Sequence, residues 1–292
     1  MSKIEEALTK AKLSKQGSGK DLKVFDQNRS SADTRDLVPV KSASGQIRHQ
    51  SSAREISLMD NGSILDNNEL SELRIIYSDM EDHKVANTYR DLRTKLIQKS
   101  QSKNFIAMIT SCVEGKDSAM TSLNISTAFS FDESKTSLLI DCNLNNPKLD
   151  TLLNMETDKG LTDYMENEDI EVDSIMHKTG IKRLKMIPAG MNRETAAEYF
   201  TSLRMRQLMS DLLSRYSDRY IFLDTAPITE SADTRILVEL CDFVVLAVPY
   251  ASSTKGKIKE AVEAIGEDKL LGVVFTDIPN VPKFSLANLF KF

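Results

Sequence analysis

The segment after the first predicted strand carries residues that a phosphate-binding loop uses. Such a loop needs a glycine-rich turn, a lysine for the β- and γ-phosphates, and a Ser or Thr hydroxyl for magnesium. The sequence TSCVEGKDSA, at Thr110–Ala119, supplies the pair Gly115 and Lys116, but Asp117 stands where the hydroxyl residue should follow. A carboxylate at that point would repel phosphate oxygens. Taken alone, the segment is an incomplete match to a phosphate loop.

Two acidic residues stand at the ends of other predicted strands. Asp141 ends the apolar segment TSLLID, and Asp224 ends YIFLD. In parallel α/β folds, ligands bind at the carboxyl ends of the strands, so both side chains are candidate site residues. A structural role is the alternative, because acids at strand ends also accept hydrogen bonds from backbone and hydroxyl groups.

The elements that must position these residues alternate along the chain from about residue 84. Apolar runs predict strands and helical periodicity predicts helices between them, which indicates an α/β fold with a doubly wound, mostly parallel sheet covered by helices on both faces. The predicted strands are Phe105–Thr110, Thr136–Asp141, Arg183–Pro188, Tyr220–Asp224, Phe243–Pro249 and Leu270–Thr276. The predicted helices are Val85–Gln98, Ser118–Phe131, Pro147–Leu153, Leu161–Met165, Glu194–Tyr216, Ser231–Cys241 and Thr254–Ile265.

Composition limits the classes of function. The 292 residues include 38 Lys and Arg against 43 Asp and Glu, a net charge of −5, which argues against a nucleic-acid partner. The three cysteines, Cys112, Cys142 and Cys241, are far apart and odd in number, which favours a reducing cytoplasm over a disulfide framework. The three histidines show no metal-ligand spacing, so no metal site is predicted. No apolar run predicts a transmembrane helix or a signal peptide.

The chain divides into four predicted parts. Residues 1–13 form an amphipathic helix that either packs on a partner or on its own body, or frays. Residues 14–67 form a disordered tether, because the first 60 residues hold ten serines and no strand-like run. Residues 68–279 form the α/β domain. Residues 280–292 are a Phe-rich tail that could lie on a membrane, in a partner's groove, or on the protein itself.

Several segments together resemble one protein family. The chain is similar to the bacterial tyrosine autokinases of capsule and exopolysaccharide systems, which are P-loop ATPases with a deviant Walker motif. The matching segments, in order, are MSKIEEALTKAK at 1–12, NTYRDLRTKL at 87–96, LLIDCNLNNPKLDTLL at 138–153, GLTDYM at 160–165, IPAG at 187–190, RMRQLMSDLLSRYSDRYIFLDTAPI at 204–228, and DFVVLAV at 242–248 with LLGVVF at 270–275. The resemblance implies a sheet of the P-loop NTPase type.

The phosphate loop departs from the family pattern in either of two alignments. Without gaps, the family's Gly-Lys-Ser/Thr falls on Asp117, Ser118 and Ala119, so the lysine and the magnesium hydroxyl are both missing. With gaps, Gly115 and Lys116 take the motif, and Asp117 occupies the hydroxyl position. Gly115, Lys116, Ser118 and Ala119 are therefore the nucleotide-binding candidates if binding is retained.

Other parts of the family's mechanism are also altered. The resemblance assigns Asp141 and Asp224 to the two conserved Walker acids, but Asn143 replaces the presumed proton acceptor, and an amide does not take a tyrosine proton at neutral pH. Thr276 stands where the family's adenine-binding Asn is found, and residues 280–292 contain no tyrosine. The family's arginine helix carries Arg90 and Arg93, which either join subunits or lie on a solvated face.

These departures predict a degenerate member of the family, with no cofactor expected and ATP with magnesium only if binding is retained. Such a protein would act as a non-catalytic regulator or scaffold in exopolysaccharide biosynthesis and export. The resemblance implies a peripheral position at the inner face of the plasma membrane. The implied partners are the membrane chain-length-determinant protein and either a paralogous kinase or copies of the same chain. An active or residual tyrosine autokinase or ATPase, and a nucleotide-binding switch without phosphotransfer, remain as alternatives.

Overall fold

The computed structural model describes residues 63–80, 83–114, 118–191, 196–215 and 218–276. The predictions for the N-terminal helix, for the tether up to residue 62 and for the Phe-rich tail therefore lie outside the described residues.

Strands and helices alternate along most of the described chain. The strands are β1 (Ile106–Ser111), β2 (Thr136–Asp141), β3 (His177–Lys178), β4 (Leu184–Ile187), β5 (Arg219–Asp224), β6 (Phe243–Pro249) and β7 (Leu270–Thr276). The helices are α1 (Asn67–Glu72), α2 (His83–Lys99), α3 (Ser118–Ser130), α4 (Leu149–Leu152), α5 (Leu161–Glu166), α6 (Ala196–Thr201), α7 (Leu203–Arg215), α8 (Ala232–Val238) and α9 (Lys255–Ile265), with a 3-10 helix at Val172–Ile175.

The strands form a seven-stranded sheet in the order β3-β4-β2-β5-β1-β6-β7. All neighbours pair in parallel except β3, which lies antiparallel to β4 at one edge. The predicted doubly wound, mostly parallel sheet is confirmed. Sequence patterns missed β3 because two residues are too few to show an alternation.

The sheet is covered on both faces, as its apolar strands require. One apolar cluster lies under α1, α2 and α3, and the other lies under the helices from α5 to α9. At the amino end of the sheet, five aromatic rings pack with centroid separations of 4.8 to 6.0 Å: Phe105, Phe129, Tyr220, Phe222 and Phe243. This packing leaves the carboxyl ends of the strands as the open end of the fold.

Helix α3 is buried along nearly its whole length, although half of its residues are polar. The hydroxyls of Ser126 and Thr127 donate to backbone carbonyls four residues earlier, so these polar groups are satisfied inside the helix. The side chain of Asn124 accepts from the Ile76 amide at 2.8 Å and donates to the Arg74 carbonyl at 3.2 Å. Asn124 therefore fastens the segment after α1 onto the helix that follows the phosphate-loop region.

Two predicted boundaries are wrong for identifiable reasons. The predicted helix Glu194–Tyr216 is two helices, because the Ser202 hydroxyl accepts from the Met205 amide at 3.0 Å and caps the start of α7. Residues 63–67, which the sequence predicts to be part of the tether, belong to the α/β domain. Asp66 and Glu69 form a capping box at the start of α1, and the Leu65 amide donates to the Gly180 carbonyl.

Candidate functional site

The two candidate acids meet at the carboxyl end of the sheet. Asp141 ends β2 and Asp224 ends β5, and the two residues are register partners in these neighbouring parallel strands. Each side chain is only 1% exposed. The fold therefore places two carboxyl groups side by side in a buried position, where their charges repel one another.

The oxygens of Asp141 are bonded by the protein's own backbone. Oδ1 accepts from the Asn143 amide at 3.1 Å, and Oδ2 accepts from the amides of Lys148 and Leu149 at 3.3 Å each. These donors belong to the turn after β2 and to the start of α4. Asp141 thus holds the β2–α4 connection in place, which is the structural role left open by the sequence.

Asp224 is bonded by a side chain that sequence analysis did not single out. Its Oδ1 accepts from the Ser122 hydroxyl at 2.5 Å, which joins the end of β5 to helix α3. Ser122 is fully buried and lies one helical turn after Ser118. That four-residue spacing was the available signal, since it places both serines on one face of the helix.

Burial changes the protonation of both acids. Loss of hydration raises the pKa of Asp141 to about 7, against the opposing effect of its three backbone hydrogen bonds. Burial is the largest cause that raises the pKa of Asp224, and the neighbouring charge of Asp141 raises it further. The Ser122 hydroxyl and Lys148 lower this pKa. The pair therefore carries less than two full negative charges near neutral pH.

A cleft of about 200 Å³ opens beside this pair, between the β1–α3 and β2–α4 connections. Most of the lining residues are polar, and two of them, Ser118 and Asn143, belong to the predicted site. The lining consists of Glu114, Ser118, Asn143, Asn145, Asn146, Lys148, Ala226, Pro227, Glu230 and Ser231. The Asn146 amide donates to Glu114 Oε1 at 2.9 Å, which links the two connections across the cleft. Glu114, Asn146 and Lys148 contribute to this site without having been predicted in it.

The remaining candidates divide between the cleft and the core. Ser118 begins α3 and lines the cleft, as does Asn143. Ala119 is buried in the apolar cluster under α2 and α3 instead. Gly115 and Lys116 lie outside the described residues.

The described residues supply little of what magnesium and a triphosphate need. Lys148 is the one ammonium among the described residues that line the cleft, and it stands against the carboxylates of Glu114 and Glu230. The strand-end acids are buried, and Asp141 already accepts three hydrogen bonds from its own chain. Magnesium requires accessible oxygen ligands, and neither buried acid offers one on the surface of the cleft.

The arginine helix makes contacts within the chain. Arg93 Nη1 donates to the Ala128 carbonyl at 3.2 Å, and Nη2 lies 3.8 Å from Asp132 Oδ2. Arg90 Nη2 donates to the Ser78 carbonyl at 2.5 Å. Both guanidinium groups line a groove of about 380 Å³. Their role in joining subunits stays a prediction, but both also fasten α2 to its own domain.

We expect Arg93→Glu to lower the free energy of unfolding by about 1–3 kcal/mol, because a charged hydrogen bond is lost and a carboxylate is placed near Asp132. Lys95→Glu reverses the same charge at an exposed position of the same helix, and we expect it to change stability by less than about 0.5 kcal/mol. Urea unfolding measures both. Equal effects of the two substitutions would show that the Arg93 contacts contribute nothing.

These features define a class of protein. A mostly parallel sheet with acids at the carboxyl ends of neighbouring strands, and a buried helix after the first strand, is the arrangement of a P-loop-type α/β protein. The kinase domain of the Escherichia coli tyrosine kinase ETK has the same fold, with a TM-score of 0.61 at 17% identity over 80% of this chain and 97% of that chain.

Sequence comparison identifies the family within this class. The chain is 30% identical to the tyrosine-protein kinase YwqD of Bacillus subtilis over 189 residues, which cover 64% of this chain and 78% of the relative. It is 26% identical to the tyrosine-protein kinase CpsD of Streptococcus agalactiae, over 72% of this chain and 91% of the relative. No protein-family model matches the chain. The chain belongs to the family of bacterial tyrosine-protein kinases, as its motifs predicted.

Two features are missing from the residues that the structure describes. They contain no group of three or more His, Cys, Asp or Glu side chains arranged to hold a metal ion. In the same part of the chain, no helix combines the length and the apolar character needed to cross a bilayer.

Proposed function

We propose that this protein is a degenerate tyrosine-kinase-like protein that acts without catalysis, as a regulator or scaffold in exopolysaccharide biosynthesis and export. The observation that carries the proposal is the state of the two strand-end acids. Asp141 is buried and occupied by three backbone amides, and Asp224 is buried and bonded to Ser122. Side chains held in this way stabilise the fold rather than present a ligand set to a nucleotide and its metal.

The cleft beside the acids supports the same conclusion. Asn143 lines it at the position where the family resemblance expects a proton acceptor, and an amide does not act as a base at neutral pH. Phosphoryl transfer depends on positioning and on neutralising the phosphate charge. Two carboxylates and one ammonium among the described lining residues give the opposite electrostatic balance.

The proposed partners follow from the family resemblance. We place the protein at the cytoplasmic face of the plasma membrane, bound to the chain-length-determinant protein of a polysaccharide export system. A paralogous active kinase or further copies of the chain would share that assembly. The groove beside Arg90 and Arg93 offers two partly exposed cations to acidic groups on a neighbour, which supports a protein partner. The net charge of −5 supports no nucleic-acid partner.

A direct nucleotide-binding measurement tests the proposal. We expect titration of the full chain with ATP and magnesium, up to about 1 mM, to show no saturable heat and no rise in melting temperature. ADP is titrated in the same way, because an ADP-binding protein would also be a nucleotide switch. Saturable binding that Asp141→Asn abolishes would contradict the proposal. Phosphotyrosine formation would then separate the active kinase from the nucleotide-binding switch.

A further inference from the structure

Tyr250 is the most exposed tyrosine among the residues that the structure describes. It is 52% exposed. Five other tyrosines lie in the described ranges, and each is buried in one of the two apolar clusters or packs against one: Tyr77, Tyr89, Tyr164, Tyr199 and Tyr220. A buried hydroxyl becomes accessible to a modifying enzyme only through local unfolding. Tyr250 is therefore the tyrosine hydroxyl that the described part of the fold presents to such an enzyme.

The side chain of Tyr250 does not hold the fold together. It belongs to neither apolar cluster, and its hydroxyl has no hydrogen-bond partner within the described ranges. By contrast, the Tyr199 hydroxyl donates to Glu166 Oε1, and the Tyr77 hydroxyl accepts from the Ser71 hydroxyl at 3.2 Å. A group attached to Tyr250 Oη therefore displaces no contact that stabilises this part of the protein.

The backbone around Tyr250 is a defined turn after β6. The Ser252 amide donates to the Pro249 carbonyl at 3.4 Å, and the Tyr250 amide donates to the Thr276 carbonyl at 2.9 Å. Ala251 has a φ of 57°, as the third residue of a type II turn requires. Tyr250 is the second residue of this turn. The turn is anchored at its backbone while the ring projects into solvent, so the hydroxyl is presented without local unfolding.

The charges near Tyr250 in the chain favour an added phosphate. Residues 243–259 contain three lysines and no acidic residue. The lysines are Lys255, Lys257 and Lys259, in the first half of α9. A phosphotyrosine carries a charge of about −1.5 to −2 at pH 7, and neighbouring carboxylates would repel it. Here the nearest charged residues after Tyr250 are cations, which attract it.

We propose that Tyr250 is a phosphorylation site, modified by a separate tyrosine kinase. The inference rests on the proposed function in one respect, because the paralogous active kinase proposed as a partner would supply the activity. Tyr250 Oη attacks the γ-phosphorus of ATP bound to that kinase. The Oη–P bond forms, the bond from the γ-phosphorus to the β–γ bridging oxygen breaks, and ADP leaves. The phenolic proton passes to a base of that kinase.

Phosphopeptide mass spectrometry tests this assignment. The 292-residue chain is incubated with ATP, magnesium and the kinase domain of Escherichia coli ETK, and a glutamate–tyrosine copolymer confirms that the added kinase is active. We expect phosphate on Tyr250 at an occupancy at least about tenfold above that of any buried tyrosine, since those sites require local opening. Tyr250→Phe is expected to lose most of the phosphate. Tyr77→Phe, the matched control at a partly buried ring, is expected to retain it.

Two results would overturn the inference while the copolymer is phosphorylated. One is a chain that takes up no phosphate. The other is phosphate spread evenly over the tyrosines or concentrated on one other than Tyr250, including Tyr216, which lies outside the described residues. A parallel incubation without added kinase separates this inference from the proposed function. Phosphotyrosine in that sample would contradict the proposed absence of catalysis, and its position would still decide whether Tyr250 is the acceptor.

Discussion

The purified 292-residue chain, incubated with ATP and magnesium, is expected to accumulate no phosphotyrosine and to release no ADP above a protein-free background. Removing one preorganised charge-stabilising group from an active site costs about 10²–10³ in rate. Here Asp117 and Ala119 disagree with the phosphate-loop pattern, Asn143 cannot act as a base, and Asp141 is occupied by its own backbone. We therefore expect activity below the detection limit of an anti-phosphotyrosine blot and of a coupled ADP assay.

Repair of the site provides the matched control. Ser118→Lys alone is expected to fail, because the parts of a phosphoryl-transfer site act together and their effects do not add. Asp117→Gly, Ser118→Lys, Ala119→Thr and Asn143→Asp together are expected to restore ATP binding and slow hydrolysis. Because Ala119 is buried in an apolar cluster, the melting temperature of this variant must be checked first. Strong autophosphorylation by the unmodified protein, abolished by Asp141→Asn, would contradict the proposed function.

Asp224→Asn is expected to stabilise the protein by about 1–3 kcal/mol at pH 8, because it removes the cost of burying, beside a second acid, a carboxyl group that is charged in the unfolded chain. The asparagine oxygen still accepts the Ser122 hydrogen bond. For a domain of about 200 residues, each kcal/mol raises the melting temperature by about 2–4 °C. If the acid served instead to bind magnesium, the unmodified protein would gain stability on adding the metal and the variant would not.

Asp141→Asn is the comparison for this experiment. Asp141 accepts hydrogen bonds on both oxygens. An asparagine there has only one side-chain oxygen, so its amide group must face backbone donors on the other side: either the Asn143 amide, or the amides of Lys148 and Leu149. We expect this variant to gain nothing, or to lose about 1–3 kcal/mol from the unmet donors. Equal stabilisation by both substitutions would show that these hydrogen bonds do not matter.

The pH dependence follows from the raised pKa of Asp141. Its pKa is about 7 in the folded protein and about 3.9 in an unfolded chain, so the unfolded state releases its proton first as the pH rises. The stability that this group contributes is fully present below about pH 4 and is lost as the pH rises through 7. Burial also raises the pKa of Asp224, so Asp224→Asn removes a second group whose contribution falls as the pH rises, and we expect a shallower loss of stability between pH 5 and 8. Urea unfolding across this range measures both slopes, and identical slopes would show that Asp224 contributes nothing to the pH dependence.

Local sequence patterns were sufficient for six of the seven strands and for the position of the candidate site. Apolar runs and periodicity placed β2 and β7 at their observed bounds, and the acids at the ends of β2 and β5. Burial on both faces forces a parallel strand to be apolar throughout, so such strands are visible without any long-range information. The order of the motifs also identified the family, because many weak matches in register exclude coincidence.

The tertiary structure decided which groups those acids meet. Ser122 and Asp224 are 102 positions apart, and Arg93 bonds a backbone carbonyl 35 positions away. The spacing from Ser118 could have pointed to Ser122, but no local pattern identifies the partner of either side chain, because each partner is distant in the sequence. The protonation of Asp141 is also a tertiary property, because the sequence specifies a carboxyl group while packing determines how much water reaches it. Residue types and their spacing therefore determined the fold and the family, whereas dehydration and non-local hydrogen bonds determined the condition of the site.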